Sequence, residues 1–152
     1  MGLVLTDELV NLDSIFLDTA PVIYYIEAHP EYGSLMKEAI PCLQSGKRII
    51  YTSVITITEV LPYPVSQNKE ELVQKFMDFL RKGENIGLID ISPNIAEQAG
   101  RLRGKYKSLR TMDAIQIAAA VDTGADAFLT NDIKLKQVTE IKVLVLKDYL
   151  SS

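Results

Sequence analysis

The sequence is poor in the residues that several familiar chemistries require. A single cysteine, Cys42, in 152 residues permits no internal disulfide and gives no support for a thiolate metal site. That usage is compatible with a reducing, cytoplasmic setting. A single histidine, His29, beside Pro30 and between two helical patterns, reads as a loop residue. It leaves little material for a serine–histidine–aspartate triad or a histidine-rich zinc centre. Long apolar runs are absent too: a stretch such as Ala114 to Val121, with Gln116 inside it, falls well short of the roughly 20 residues that span a bilayer. No basic leader precedes a cleavable apolar segment, and there is no internal repeat or low-complexity tract.

An excess of positive charge is also missing. The net charge of −4 and a pI near 5.0 argue, on average, against a nucleic-acid partner. The distribution says more than the average. Five of the sixteen basic residues, Arg101, Arg103, Lys105, Lys107 and Arg110, fall in one ten-residue run just before Asp113. Such a run is either a solvated helix end or a basic approach for a phosphodiester chain, whose phosphates supply most of the affinity in nucleic-acid binding.

What is present is enough apolar material for one domain: 47% of residues are hydrophobic and 24% charged. Residues 1–14 show no clear periodicity and read as an extension, with residues 15–150 as the folded domain. Ile15–Leu17 is a short buried-strand pattern, and Asp18 or Thr19 then caps a first helix over Val22–Ala28. Helical spacing continues from Tyr32 to Leu43, with Pro41 as an early stop or bend. Arg48–Thr52 is a second strand, and Ser53–Leu61 a helix. Leu61-Pro-Tyr-Pro64 reads as an irregular break. Lys69–Lys82 is amphipathic, with Leu72, Val73, Phe76, Phe79 and Leu80 on one face. Ile86–Ile91 is a third strand. Ser92-Pro93 then caps a helix over Asn94–Lys105 that turns Ala96, Ala99 and Leu102 inward. Thr111–Val121 is the most apolar helix, and Ala127–Thr130 and Lys142–Leu146 are further strands. Alternating strands and helices in one domain predict an α/β fold, a mainly parallel sheet with helices on both faces.

Four acids stand out against this pattern. Asp18 ends the first strand, Glu59 lies in the apolar segment Ser53–Leu61, Asp113 opens the apolar helix, and Asp132 follows the strand Ala127–Thr130. Strand ends and helix starts share one edge of a parallel sheet, where open α/β folds build their sites. Either the four are separate caps and surface acids, or they converge on a divalent ion. Carboxylates without histidine form an oxygen ligand set suited to Mg²⁺ or Mn²⁺. Asp113 is able to cap its helix and bind metal at once. Glu59 is expected to be buried, where an unpaired carboxylate needs a cation. Thr130 and Asn131 are placed to hydrogen-bond the carboxylates, water or phosphate, although turn propensity explains Asn131 equally well.

The segments Phe16–Glu27, Ser53–Leu61, Arg110–Ala119 and Ala125–Asp132 together resemble the ordered motifs of PIN-domain ribonucleases, especially the VapC-type toxins of prokaryotic toxin–antitoxin pairs. The resemblance covers about residues 15–146. It implies a Mg²⁺- or Mn²⁺-dependent endoribonuclease with Asp18, Glu59, Asp113 and Asp132 as its acidic centre, and Thr130, Asn131 and the basic run as candidate RNA contacts. It also implies an RNA substrate, a homodimer, and an antitoxin seated near Pro62–Pro64 and Lys69–Lys82. The chain departs from the family in its dozen residues before the first strand and in the Pro62-Tyr63-Pro64 connection. Other readings are a housekeeping RNA-processing enzyme, a silent PIN scaffold, and a phosphorelay receiver using Lys147, for which the required acidic pair is missing after the first strand.

Overall fold

The computed structural model describes residues 3–150. Its centre is a five-stranded parallel sheet built from β1 (Ser14–Leu17), β2 (Ile49–Ser53), β3 (Ile86–Ile89), β4 (Ala127–Thr130) and β5 (Lys142–Val145), in the order β3-β2-β1-β4-β5. β1 and β4 are buried along their whole length, as central strands covered on both faces must be. Alternation along β1 divides the core in two. Ile15 and Leu17 face one layer and Phe16 the other, where it stacks on its register partner Phe128 with ring centroids 5.6 Å apart.

The first layer contains α1 (Leu5–Leu9), α2 (Thr19–Ile26), α3 (Gly33–Ser45), α4 (Val54–Val60), α5 (Pro62–Ser66) and α6 (Glu70–Lys82). The second holds α7 (Pro93–Lys105) and α8 (Thr111–Thr123), which pack closely on each other. Two short 3₁₀ turns, Ile133–Gln137 and Leu146–Tyr149, follow β4 and β5. Helix starts follow local chemistry. Ser53 accepts the Ile55 N–H and Ser92 the Ile95 N–H, with Pro93 at the first helical position, where its missing N–H costs nothing. α8 stops at Gly124, whose φ of 74° is the left-handed conformation that glycine adopts freely.

Several local readings differ from the observed structure. The segment read as an extension without clear periodicity contains α1, because Leu5 and Leu9 are buried against α3; five residues are too few to give a periodic signal on their own. Pro41 does not end α3. The carbonyl it leaves without a helical partner belongs to Lys37, on the exposed side of the helix where water can serve it. Pro62-Tyr63-Pro64 is helical rather than irregular, since both prolines lie in the first turn of α5, where backbone N–H groups have no intrahelical partner anyway. On α7 the inward residue is Ile95, with Ala99 and Leu102, whereas Ala96 is exposed. β3 stops at Ile89 and β5 at Val145, each shorter than its apolar run.

Candidate functional site

Strand order reverses across β1, which has β2 on one side and β4 on the other. Crevices at such a switch point, beyond the carboxyl ends of the strands, are where parallel sheets bind ligands. Asp18 leaves the end of β1 and Thr130, Asn131 and Asp132 the end of β4, tied together by the Asp18 N–H donating to the Leu129 carbonyl at 2.9 Å. α4 carries in Glu59 and the first turn of α8 carries in Asp113. Asp18, Thr19, Ala20, Ile23, Tyr24, Glu59, Arg110, Asp113, Thr130, Asn131 and Asp132 line one cleft of about 370 Å³.

The four acids are held differently. Asp18 is buried; its Oδ1 accepts the Thr19 N–H at 2.9 Å, capping α2, and its Oδ2 accepts the Thr130 hydroxyl at 2.8 Å. Burial pushes its carboxyl from 3.8 up to about 6; the bonds from Thr130 and Thr19 pull it down, and the charges of Asp113 and Glu59 add to the rise. Glu59 is exposed on the cleft side of α4, contrary to the expectation of burial, because the helix buries Thr56 and Val60 instead. Its Oε1 accepts the Thr19 hydroxyl at 2.6 Å. Asp113 is the third residue of α8, not its cap: Arg110 occupies the cap position and its Nε donates to Asp113 Oδ2 at 3.1 Å. Asp132 Oδ1 accepts the Lys134 N–H and so caps the following 3₁₀ turn.

Glu59 Oε2, Asp113 Oδ1 and Asp132 Oδ2 are thereby left without a protein hydrogen bond among the described residues, all on the walls of one cleft. This donor set is oxygen only, anionic and open to water, which suits a hard hydrated cation such as Mg²⁺ that keeps several of its own waters. Among the described residues, no group of three or more acid, histidine or cysteine side chains stands close enough together to hold a metal ion as they are placed, so the acids line one cleft without forming a finished ligand set. Among the described residues Arg110 is the only cation on the cleft wall, and its hydrogen bond to Asp113, with the negative charges of Asp113, Asp132 and Glu59, holds it more firmly protonated than usual.

The basic run separates in space. Arg110 lines the cleft. Arg101 pairs with Glu97 and Lys105 with Glu140, and both line a different cavity, beside Leu102 and Val121. Arg103 Nε donates to the Leu109 carbonyl, and Lys107 is exposed. Thr130 and Asn131 do line the cleft, yet both serve the protein. Thr130 Oγ1 accepts the Asp132 N–H while bonding Asp18, and Asn131 links the Tyr24 hydroxyl to the Lys147 N–H.

Sequence reasoning missed four residues here. Thr19, Tyr24 and Gln116 reach the cleft or its wall through hydrogen bonds that no spacing reveals. Lys134 borders a second hollow with Ser108, Arg110, Asp113, Asp132 and Gln137, which shares three residues with the acidic cleft and continues it. A lysine two residues after Asp132 was the available signal.

The sequence profile of the PIN domain matches residues 15–141. A search of curated proteins gives no significant match. Among solved structures, VapBC2 from Rickettsia felis, bound to a DNA fragment from their promoter, is similar, with 25% identity and a TM-score of 0.70 over 87% of this chain and 98% of that chain. A toxin–antitoxin complex from Klebsiella pneumoniae is similar at 25% identity and a TM-score of 0.61, over 87% of this chain and 97% of the other. VapC20 from Mycobacterium tuberculosis, a toxin that cleaves the sarcin–ricin loop, shares the fold at 16% identity and a TM-score of 0.65, over 84% of this chain and 98% of that one.

Proposed function

The chain belongs to the PIN-domain family, and on that premise we propose that it is a Mg²⁺- or Mn²⁺-dependent endoribonuclease, the toxin of a toxin–antitoxin pair. The observation that carries this reading is the meeting of Asp18, Glu59, Asp113 and Asp132 in one cleft with three carboxylate oxygens left free. Asp18, Asp113 and Asp132 would hold the ion, and Glu59 would complete the set or orient water. A divalent ion bound there supplies Lewis-acid stabilisation of the scissile phosphate and activation of water.

The chain's own groups do the rest. Thr130 and the Thr19 N–H fix both oxygens of Asp18, so its outward lone pairs keep one direction. Arg110 offsets the charge of the acids through its pair with Asp113, and its exposed guanidinium on the cleft wall is placed to meet an RNA phosphate. Lys134 and Arg110 mark the continuation of the cleft as the path of the RNA backbone, in preference to the α7 face that carries Arg101 and Lys105. The solved neighbours that are complexes with antitoxins support a protein partner for this chain too. We place that partner, and the second copy of a homodimer, on surface that includes the exposed Tyr63 and Val65 of α5.

The test is cleavage of single-stranded RNA by the purified chain. Activity is expected with Mg²⁺ or Mn²⁺, none in excess EDTA, and none for Asp113→Asn, whose circular dichroism spectrum should match the parent. Full activity in EDTA, or in the folded variant, sinks the metal mechanism.

A further inference from the structure

Behind the cleft lies a row of buried polar side chains that the carboxylate chemistry does not use directly. Thr52, Ser53, Thr56 and Gln116 are each almost fully enclosed. No buried side-chain polar atom among the described residues lacks a hydrogen-bond partner. A closed network of this kind permits the direction of every bond to be worked out, because each hydroxyl has one hydrogen to give.

The count starts from a group that can only accept. Thr52 gives its hydrogen to the Leu17 carbonyl at 2.8 Å. The 2.8 Å bond between Thr52 and Thr56 therefore runs from Thr56. Having spent its hydrogen, Thr56 accepts from Gln116 Nε2, also at 2.8 Å. On the other side, the Ser53 Oγ accepts the Ile55 N–H and donates to Gln116 Oε1, which fixes which end of the amide points where. The second hydrogen of Gln116 Nε2 faces the Thr19 Oγ1 at 3.5 Å. Thr19 and Thr56 are also 3.5 Å apart, but Thr56 has nothing left to donate. The single hydrogen of Thr19 goes to Glu59 Oε1 at 2.6 Å.

We propose that Gln116 is a positioning residue that, by donating one amide hydrogen to Thr56 and turning the other toward the Thr19 oxygen, holds Thr19 as an acceptor on that side, directs its hydroxyl hydrogen to Glu59 and leaves Glu59 Oε2 facing the cleft. Remove the amide, and both Thr56 and Thr19 lose the donor that stood between them, which makes the Thr56 oxygen a less satisfied acceptor beside Thr19. The Thr19 hydrogen then has a second place to go, and Glu59, on an exposed turn of α4, loses its fixed direction. The catalytic consequence rests on the nuclease reading above; the bond directions do not.

Three variants and two kinds of measurement test this. Gln116→Met keeps the shape and removes the donors, Thr19→Val removes the hydroxyl, and Thr19→Ser keeps it. In RNA cleavage with saturating Mn²⁺, Gln116→Met and Thr19→Val should lose about tenfold or more in kcat, the scale of supporting-residue losses at metal sites, with KM for RNA little changed. Thr19→Ser should stay near the parent. By NMR on the metal-free protein, the Thr19 hydroxyl proton should show a cross-peak to the Glu59 γ protons that Gln116→Met abolishes. An unaltered kcat in both Gln116→Met and Thr19→Val, or a Thr19→Ser as impaired as Thr19→Val, overturns the proposal. So does a cross-peak that survives Gln116→Met. A parent protein that cuts no RNA rejects the nuclease reading, while the cross-peak still decides the role of Gln116. Should Gln116→Met not fold, the Thr19→Val and Thr19→Ser pair carries the test.

Discussion

Asp18 is a carboxylate placed where the fold alone would prefer a neutral group. Its ordinary value near 3.8 rises to about 6 in the native state, chiefly through burial. Between those values the native protein still holds a proton that the unfolded chain has released, so this residue makes stability fall as pH rises from about 4 to 6, and its cost is complete above that. The penalty at neutral pH is on the order of 3 kcal/mol. Asp18→Asn should therefore stabilise the metal-free protein at pH 7.5 by about 1–2 kcal/mol, less than the full penalty because an amide cannot accept from both Thr19 and Thr130. Urea melts at pH 4.5 and 7.5 check it: the variant's advantage should shrink at the lower pH and vanish at pH 7.5 once Mg²⁺ is added. A variant less stable than the parent at pH 7.5 without metal would contradict the assignment.

At the scale of elements, α1 shows how much a short segment contributes once it has something to pack against. Leu9 is completely enclosed, in the same cluster as Ile40 and Leu43 of α3, and Lys142 reaches back to pair with Glu8. Leu9→Ala should cost about 2–5 kcal/mol in urea unfolding, as for other enclosed leucines; a loss below about 1 kcal/mol would show α1 to be a loosely attached arm. The basic run tells the opposite story. Contiguous in sequence, it is divided between α7 and the loop before α8, so that only Arg110 meets the acids. Changing Lys134 and Arg110 to glutamine should weaken RNA binding and flatten its dependence on salt by about two phosphate contacts. Arg101 and Lys105 to glutamine should leave that slope nearly unchanged. The reverse result would return the RNA path to α7.

For the whole molecule, the parallel sheet places every candidate ligand at one edge, while exposed apolar residues such as Tyr63 and Val65 lie on α5, beyond the cleft lining. If those residues contact other chains, light scattering should report a dimer at micromolar concentration, and co-expression with an adjacent antitoxin gene should give an inactive complex whose separated toxin cuts RNA. A monomer under these conditions removes the dimer, and normal growth on expression of the chain alone removes the toxin assignment without touching the nuclease. The receiver-like alternative falls with the family match, and its Lys147 is exposed, contributing its backbone N–H to Asn131.

The strands, the main helices and the four acids were legible because each is a local pattern. Buried parallel strands read as short apolar runs, serines before proline or apolar stretches mark helix starts, and an acid after a strand is visible without knowing what it faces. What sequence spacing leaves open is anything settled by packing between distant segments. α1 is helical because α3 buries it, the α5 prolines are tolerated because both fall in a first turn, and Glu59 is exposed because α4 turns Thr56 and Val60 inward. Gln116 looked like a polar interruption in an apolar helix. Only the tertiary structure, by bringing Ser53, Thr56 and Thr19 within reach of one amide, gave it partners, since a hydrogen bond depends on a few tenths of an ångström between residues that the chain separates by dozens of positions.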